Sequence, residues 1–395
     1  MIQRPHYLKQ LISFQDTQTI KIVTGIRRCG KSTLLLLMCE HLLSSGVRPE
    51  NIQYINFDDL DNEELTDYKK LHEHVTGRLC GGMNYIFLDE IQEVPQFQKT
   101  LASLQLRDNV DLYVTGSNAW LLSGELATLL SGRYVEIRMQ PLSFREYVSA
   151  FPDKGDLTRK FASYLTESSF PGALEMSTRG KTREYLDGLY HSILIKDIAS
   201  RLKIGDVASL DRLTRFLYGN IGSITSTRKI ADTMTSVGQS ISPHTVERYI
   251  QSLTDSFIIC ACPRWDVRRR ARLKTGCKYF GADTGLRYYL LGGRSADRGH
   301  MLENIVYLEL LRRKERVFTG KVGDSEIDFV TESADGVEYF QVSLSVRDET
   351  VLERELRPLS AVKDHNPKYL LTLDDDPPAD WDGIKQVNII SWLLK

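Results

Sequence analysis

A phosphate-binding pattern lies near the start of the chain. The string Gly25-Ile-Arg-Arg-Cys-Gly30-Lys31-Ser32 matches G-x-x-x-x-G-K-[ST] at every fixed position. The two glycines let the backbone turn tightly and direct its N–H groups at phosphate oxygens. The lysine of such a loop reaches the β- and γ-phosphates, and the hydroxyl after it binds Mg²⁺. The pattern predicts a site for ATP and Mg²⁺, in which Lys31 is catalytic and Ser32 is a metal ligand.

The remaining loop residues are included among the predicted nucleotide contacts. They are Arg27, Arg28, Cys29 and Thr33. Two arginines are unusual inside such a loop. They fit contact with the nucleotide, contact with a neighbouring subunit, or simple exposure to solvent, and the sequence does not choose among these.

An acidic pair follows an apolar run in Tyr85-Ile-Phe-Leu-Asp89-Glu90. The run predicts a buried strand, and ligands of open α/β sheets bind at the carboxyl ends of such strands. Asp89 is therefore expected to hold Mg²⁺ through water, and Glu90 to polarise the attacking water. The second acid favours a hydrolase over a simple nucleotide binder.

Two further polar positions are candidates for this site. Ser117 and Asn118 follow a predicted strand, and either could sense the γ-phosphate and position water, or merely cap the next helix. Arg133, in Ser131-Gly-Arg133, could stabilise transition-state charge in cis or in trans, or form a structural ion pair.

Strands alternate with helices over roughly the first 140 residues. Apolar strands are predicted at 19–24, 52–57, 85–89, 111–115 and 134–139, and helices at 31–45 and 94–105. This alternation predicts a parallel α/β sheet. Residues 141–202 are expected to form a helical lid on this core.

Composition excludes several other classes of protein. The chain has 395 residues and a formal net charge of -1, so it is no polycation, and any nucleic-acid surface must be a local patch. The longest apolar runs are too short to span a bilayer, and the N-terminus shows no secretory signal. The six cysteines are scattered without zinc-ligand spacing. We expect a cytoplasmic multidomain protein without membrane contact.

The motifs together resemble AAA-type archaeal and bacterial ATPases that carry a winged helix and a C-terminal domain of restriction-endonuclease-like fold. The resemblance rests on Val23-Thr-Gly-Ile-Arg-Arg-Cys-Gly-Lys-Ser-Thr33, Phe87-Leu-Asp-Glu-Ile-Gln92, Thr115-Gly-Ser117 and Gly132-Arg133. Weaker similarities are Gly323-Asp-Ser-Glu-Ile-Asp-Phe329, Gln341-Val-Ser343 and Arg354-Glu355. The resemblance covers nearly the whole chain. It implies that the protein binds and hydrolyses ATP, and it implies no settled cellular role.

The middle segment contains a helix-turn-helix pattern. Helices are predicted at 226–234 and 242–253, with Val246, Ile250 and Leu253 facing the core. His244, Thr245, Glu247 and Arg248 would then face outward, as in a recognition helix. The apolar run at 257–261 and the segment after it fit a wing. Seven cations follow within fifteen residues: Arg264, Arg268, Arg269, Arg270, Arg272, Lys274 and Lys278. Such a stripe attracts phosphate backbones; packing against protein is the alternative.

The last segment resembles a PD-(D/E)xK nuclease in the order of its polar residues. Glu303 lies on a predicted helix, Asp328 in one strand, and Gln341 with Ser343 in the next. That chemistry needs carboxylates for Mg²⁺ and a lysine for the attacking water. Glutamine is a weak ligand and serine carries no charge, so we expect a retained fold without nuclease activity.

The sequence therefore predicts a three-part α/β protein. The parts are a P-loop core with lid at 1–204, a winged helix at 205–273, and a smaller nuclease-like α/β domain at 274–395. The predicted function is Mg²⁺-dependent ATP hydrolysis coupled to a conformational change on DNA. The alternatives are a nucleotide-gated switch or scaffold that binds protein or a second copy of the chain without DNA, and an ATP-regulated nuclease.

Overall fold

A computed structural model describes residues 2–119, 132–151, 155–200, 204, 206–293, 297–314 and 316–395, without the side chains of residues 274 and 275. The chain forms two compact units. The N-terminal unit comprises Met1–Pro141 with Asp255–Phe257, and the C-terminal unit comprises Leu142–Thr254 with Ile258–Lys395.

The N-terminal unit is built on a five-stranded parallel sheet, as the alternation of strands and helices predicted. Its strands are β1 Ile20–Gly25, β2 Ile52–Asn56, β3 Asn84–Asp89, β4 Val110–Gly116 and β5 Tyr134–Met139. Their order is β2-β3-β4-β1-β5, and every neighbouring pair is parallel. Strands β1, β3 and β4 are buried along their whole length, because nearly continuous apolar runs form the centre of a parallel sheet.

Among the described residues of this unit, one helix precedes β1, and three helices and three short 3-10 turns lie between the strands. The helices are α1 Pro5–Ser13, α2 Lys31–Ser44, α3 Tyr68–Thr76 and α4 Phe97–Gln105, and the turns are Pro49–Asn51, Leu60–Thr66 and Ile91–Glu93. The helix predicted from residue 94 begins three residues later. Gln96 has φ of 60°, a left-handed conformation that separates the turn after β3 from α4.

The segment predicted as a lid is helical and belongs to the C-terminal unit. The described helices after residue 141 are α5 Phe144–Ala150, α6 Leu157–Thr166, α7 Pro171–Leu174, α8 Arg179–Ser192, α9 Val207–Gly219, α10 Thr227–Ser236, α11 Pro243–Asp255, α12 Thr284–Leu290, α13 Arg298–Arg313, α14 Glu349–Ser360 and α15 Ile389–Leu393. Helix α8 continues into a π-helical segment, Ile193–Ala199. The predicted lid boundary at residue 202 and the domain boundary at residue 205 lie outside the described residues.

An eight-stranded mixed sheet organises the C-terminal unit. Its strands are β6 Ile259–Asp266, β7 Ala271–Gly281, β8 Arg316–Val322, β9 Ser325–Ser333, β10 Gly336–Val342, β11 Lys368–Thr372, β12 Ala379–Trp381 and β13 Ile384–Asn388. The order is β12-β13-β11-β10-β9-β8-β6-β7. Helix α13 packs on one core of this sheet with Phe280, Phe329 and Phe340.

The hairpin β6–β7 continues this sheet and is not a separate wing. Strand β6 pairs in parallel with β8, through Arg264 opposite Thr319 and Asp266 opposite Lys321. The boundary predicted between residues 273 and 274 therefore falls inside β7. The local sequence of a hairpin does not report which other strands it joins. The pairing of β6 with β8 connects residues more than fifty positions apart, so the sequence predicted a wing and not a continuation of the sheet.

Among the helices that the structure describes, none is long and apolar enough to cross a membrane.

Candidate functional site

The predicted phosphate loop joins the buried end of β1 to the start of α2. Gly25 has φ of 151° and pairs with Met139. A Cβ atom at Gly25 would lie 2.2 Å from the Met139 carbonyl oxygen, so only glycine fits there. Gly30, the residue before α2, has φ of 103°. Both glycines are required for the turn, and the free N–H groups of the first turn of α2 follow directly.

Lys31 and Glu90 lie beside each other at this loop. The Lys31 Nζ atom is 3.3 Å from the Gly25 carbonyl oxygen and 3.5 Å from Glu90 Oε1. Burial opposes ionisation of Glu90, but the charge of Lys31 and the hydrogen bond from Gln92 outweigh it and lower the pKa of Glu90 below its ordinary value. Glu90 is therefore a carboxylate at neutral pH and can accept a proton.

Asp89 is fully buried at the end of β3. Its Oδ2 accepts a hydrogen bond of 2.8 Å from the Tyr54 hydroxyl, and its Oδ1 accepts one from the Thr115 hydroxyl. Thr115 Oγ1 also accepts a hydrogen bond of 2.8 Å from the Glu90 backbone N–H. Tyr54 of β2 and Thr115 of β4 thus hold Asp89 in place, and Thr115 also fixes the backbone of Glu90.

The surroundings of Asp89 suit a divalent cation. Across the described ranges, no lysine or arginine forms an ion pair with this carboxylate, whose hydrogen bonds come from neutral hydroxyls. A buried carboxylate without a cationic partner is costly unless a cation completes it. Mg²⁺ prefers carboxylate and hydroxyl oxygens, and Ser32 supplies a hydroxyl in the first turn of α2.

Sequence reasoning missed three residues of this site. Thr115 and Tyr54 hold Asp89, and the Gln92 side chain donates to Glu90 Oε2 at 2.5 Å. A signal for Thr115 existed, since it is a hydroxyl at the end of an apolar strand next to β3. Tyr54 looked like an ordinary strand residue, and only the pairing of β2 with β3 brings it to Asp89.

Two of the other predicted site residues, Ser117 and Asn118, lie at the same end of the strands as the loop, and Arg133 does not. Ser117 and Asn118 are buried just beyond the end of β4. Arg133 is exposed and precedes β5. Because Tyr134 pairs with Ile20 while Met139 pairs with Gly25, Arg133 lies at the opposite end of the strands from the loop, about 20 Å away by strand rise. The structure does not bring Arg133 to the loop of its own unit, and Ser131 lies outside the described residues.

The remaining loop residues differ in exposure. Cys29 is buried, and burial raises the pKa of its thiol. Arg27, Ser32 and Thr33 are half-buried, whereas Arg28 is exposed with φ of 65°. The charge of Arg27 helps to lower the pKa of Glu90.

The two helices predicted for a helix-turn-helix are present as α10 and α11. Val246, Ile250 and Leu253 are buried, and Ser242 Oγ accepts a hydrogen bond of 3.1 Å from the Thr245 N–H at the start of α11. His244, Glu247 and Arg248 are exposed, and Thr245 is half-buried. The outward face of α11 is thus available to a partner.

Only some residues of the predicted basic stripe are exposed to solvent. Arg268 and Arg270 are exposed in the turn between β6 and β7, and Arg269 beside them contacts Asp266 with its guanidinium at 3.8 Å. Lys278 is wrongly included in this stripe, because its side chain is only 4 % exposed. The side chain of Lys274 lies outside the described part of the chain.

Lys278 lies instead among three carboxylates of the C-terminal unit. Its Nζ atom is 2.8 Å from Glu326 Oε1, 3.3 Å from Glu303 Oε2 and 3.6 Å from Asp328 Oδ1. Burial alone would lower the pKa of Lys278, but the three carboxylates outweigh it and raise the pKa above its ordinary value. The structure therefore supplies the charge that Ser343 lacks, from a strand distant in sequence.

Gln341 belongs to the same cluster and Ser343 does not. Gln341 Oε1 accepts a hydrogen bond of 3.3 Å from the Asp328 N–H, and its amide donates to Glu355 Oε2 at 2.9 Å. The Ser343 hydroxyl donates to the Ser345 carbonyl oxygen at 3.1 Å. Three of the four predicted residues thus come together, with Ser343 directed elsewhere.

Two of these carboxyl groups resist ionisation. Burial and the neighbouring Glu303 raise the pKa of Asp328 to about 8, and burial raises the pKa of Glu303. Within the part of the chain that the structure describes, no group of three or more histidine, cysteine, aspartate or glutamate side chains is arranged to hold a metal ion.

Comparison with protein families matches two segments of the chain. Residues 17–148 match an AAA domain, and residues 158–297 match a domain of unknown function. The first segment contains β1 to β5 and the loop with Lys31. It confirms the AAA-type part of the predicted resemblance, while the winged helix and the nuclease-like fold are not confirmed.

Individual relatives cover most of the chain. An uncharacterized protein of Methanocaldococcus jannaschii is 26 % identical over 87 % of this chain and 79 % of its own length. A Walker-type ATPase of Pyrococcus abyssi has a similar structure over 74 % of this chain and 96 % of its own, at 16 % identity and a TM-score of 0.48. An uncharacterized protein of Haemophilus influenzae is 38 % identical over 100 % of this chain and 99 % of its own length. The chain therefore belongs to the same family as this Haemophilus influenzae protein, and its N-terminal unit carries the AAA domain.

Proposed function

We propose that the protein binds Mg²⁺ and ATP at the loop of the N-terminal unit and hydrolyses the γ-phosphate. The observation that supports this most is the arrangement of Lys31, Asp89 and Glu90 at one edge of the sheet. Lys31 is 3.5 Å from Glu90, and Asp89 is held by two hydroxyls. Mg²⁺ held by Ser32 and Asp89 would neutralise charge on the phosphates.

The residues of the chain divide the work of hydrolysis. The N–H groups of the loop bind the phosphates, and Lys31 moves its ammonium from Glu90 to the γ-phosphate. Glu90 then accepts the proton of a water molecule whose oxygen bonds to the γ-phosphorus. The bond from that phosphorus to the bridging oxygen breaks, and ADP leaves with its electron pair. Ser117 or Asn118 completes the site as the γ-phosphate sensor.

Exchange of Glu90 for glutamine tests this division. Glu90→Gln keeps the size and a hydrogen-bonding side chain but cannot take the proton, so turnover falls by roughly 10²- to 10⁴-fold. Binding of a fluorescent ATP analogue stays within about threefold of wild type. Steady-state phosphate release and equilibrium titration measure the two quantities. Wild-type turnover in Glu90→Gln would remove Glu90 from the mechanism.

DNA is the partner that the C-terminal unit supports best. The exposed face of α11 offers His244, Thr245 and Arg248, and the β6–β7 turn offers Arg268, Arg269 and Arg270. Exposed arginines attract phosphate backbones, although Asp266 contacts Arg269 and Glu247 is exposed beside Arg248. We propose that ATP binding and hydrolysis change how these residues engage DNA.

Salt dependence of binding tests the DNA contact. If the turn contacts phosphates, log–log plots of affinity against salt have a slope of about 0.9 per contact, and the Arg268, Arg269 and Arg270 triple exchange to alanine flattens it. A matched exchange of three exposed cations elsewhere, Arg48, Arg159 and Lys363, leaves the slope unchanged. Absence of binding to duplex and single-stranded DNA at low salt would favour the protein-binding switch.

Each part of the chain has its own role in the proposed function. Nucleotide chemistry is assigned to the core, partner binding to α10, α11 and the β6–β7 turn, and no chemistry to the cluster around Lys278. The alternative function is a nucleotide-gated switch that binds protein or another copy of the chain. Arg133, exposed and distant from its own loop, would act in trans in such an assembly.

A further inference from the structure

Arg4, from the segment before α1, reaches the phosphate loop of the N-terminal unit. Its side chain is buried, with the residue only 2 % exposed. The guanidinium donates 2.8 Å from Nη1 to the Cys29 carbonyl oxygen and 2.7 Å from Nη2 to the Gln140 carbonyl oxygen. Cys29 immediately precedes Gly30 and Lys31, and Gln140 immediately follows β5.

The two acceptors of Arg4 belong to parts of the site that are already in contact. Met139, the last residue of β5, lies directly against Gly25, and the Cys29 thiol is 3.7 Å from the Met139 carbonyl oxygen. Arg4 thus bridges the middle of the loop and the strand end beneath it. A single fork of N–H donors fixes the separation of these two backbone segments.

Tyr7 holds the guanidinium and the strand end from the first turn of α1. The Arg4 guanidinium lies 5.0 Å from the centre of the Tyr7 ring, and the Tyr7 hydroxyl accepts a hydrogen bond of 3.2 Å from the Gln140 N–H. Both residues precede residues 17–148, the segment matched by the AAA domain. The loop is therefore braced by a segment outside that domain.

We propose that Arg4 is a positioning residue for nucleotide binding, which holds the loop in the conformation that directs its N–H groups at phosphate. This inference rests on the proposed function. Without the guanidinium, the carbonyl groups of Cys29 and Gln140 lose their donor in a buried place, and a loop that leaves this conformation satisfies them more easily. The binding-competent loop is then less populated, and the apparent affinity falls by the same fraction.

The test compares Arg4→Met and Arg4→Lys with a substitution of Lys9, an exposed cation on α1, the helix that follows Arg4. Arg4→Met raises the KM for ATP and the dissociation constant of a fluorescent ATP analogue by about tenfold or more, with kcat within about threefold. Arg4→Lys restores part of the affinity, because an ammonium reaches one carbonyl but lacks the fork. Lys9→Met leaves KM and kcat unchanged. Tyr7→Phe removes only the hydroxyl and gives a smaller rise in KM.

The outcomes separate this inference from the proposed function. Wild-type protein that binds no nucleotide would overturn both. Wild-type binding with an unchanged dissociation constant in Arg4→Met would overturn the role of Arg4 alone. A fall in kcat at unchanged KM, which loss of folded protein produces, would also overturn it. If Arg4→Met does not fold, the ordering of wild type, Tyr7→Phe and Arg4→Lys in KM decides the matter.

Discussion

The two units each bury a lysine beside carboxylates, with opposite consequences. Lys31 in the loop has one carboxylate at 3.5 Å and one carbonyl oxygen at 3.3 Å. Lys278 on β7 has three carboxylates within 2.8 to 3.6 Å. The few, long contacts of Lys31 are ones that a phosphate can replace. The contacts of Lys278 already satisfy the ammonium, so that lysine holds a sheet and a helix together.

The difference teaches that residue types alone do not distinguish a working site from a structural one. A lysine with acidic neighbours is common to both units. What separates them is the backbone beneath the lysine. Lys31 begins a helix whose free N–H groups can bind an anion, whereas Lys278 lies in the middle of β7, a strand that pairs with β6 and offers no helix N-terminus there.

The largest expected effect is the difference in stability between variants that lack the Lys278 ammonium and variants that lack the Lys31 ammonium. Lys278→Met removes the cation that three carboxyl groups contact. Because the pKa values of Asp328 and Glu303 are already raised, these two groups can take up protons in response, so the free energy of unfolding falls by about 3 kcal/mol, the lower end of the cost of breaking a buried pair. Lys31→Met removes one long ion pair and costs about 1 kcal/mol. Calorimetric unfolding of both variants at pH 7 measures the contrast, with Lys99→Met on an exposed helix position as control. Equal losses in the two buried variants would break the comparison.

Stabilisation by ligand gives the next effect. Mg²⁺ and ATP at about 100 times the dissociation constant add roughly 2.7 kcal/mol to the folded state, seen as a rise in Tm. Lys31→Ala abolishes this rise, because the phosphates lose their cation. Lys278→Arg keeps a cation in the cluster and keeps the rise. A normal rise in Lys31→Ala would mean that the nucleotide binds elsewhere.

The pH dependence of stability should show the cluster around Lys278. Because the pKa of Asp328 is raised to about 8 in the folded protein, the folded state binds a proton that the unfolded state has released above about pH 4. That contribution is fully present below the unfolded pKa and is lost as pH rises through about 8.

Asp328→Asn measures this contribution by difference. Asparagine stays neutral and can still accept the hydrogen bond from the Val342 N–H, which Asp328 Oδ2 accepts at 2.9 Å. Wild type should lose stability relative to Asp328→Asn between about pH 5 and 8, by at most about 1.4 kcal/mol per pH unit. Parallel stability curves for the two proteins would show that Asp328 ionises normally.

The smallest expected effect is a null result in DNA cleavage. The Lys278 ammonium lies where the carboxyl groups of Glu303, Glu326 and Asp328 converge. A divalent cation would be repelled by this ammonium and would have to displace it. We expect no cleavage with Mg²⁺ or Mn²⁺, with or without ATP, and no change in any activity of folded Asp328→Ala. Metal-dependent nicking by wild type that disappears in Asp328→Ala would show a working nuclease.

Local patterns predicted the N-terminal unit well. Strands β1 to β5 lie within a residue or two of their predicted bounds, and α2 begins at Lys31 as expected. The reason is that a buried parallel strand is an apolar run, and the loop needs glycine at fixed places in sequence. Nearly all of that information lies within short segments.

The C-terminal unit was predicted less well because its defining contacts are distant in sequence. Helices α10 and α11 have their own capping and periodicity, and both formed as expected. The sheet joins β6 to β8, and no local pattern reports such a pairing. Lys278 was predicted to be exposed because it follows a run of cations in the sequence. Its apolar neighbours Tyr279 and Phe280, both buried, were a signal that it is buried too.

The sequence by itself determined the phosphate loop, the acidic pair after β3 and the parallel sheet that carries them, since each depends on a few adjacent residues. Only the tertiary structure decided which polar groups meet. It brought Thr115 and Tyr54 to Asp89, and Arg4 to Cys29. It brought Lys278 to Glu303 and Asp328. It also placed Arg133 at the end of the strands opposite the phosphate loop. The physical reason is that hydrogen bonds and ion pairs act over a few ångströms in space, while sequence patterns record only separation along the chain.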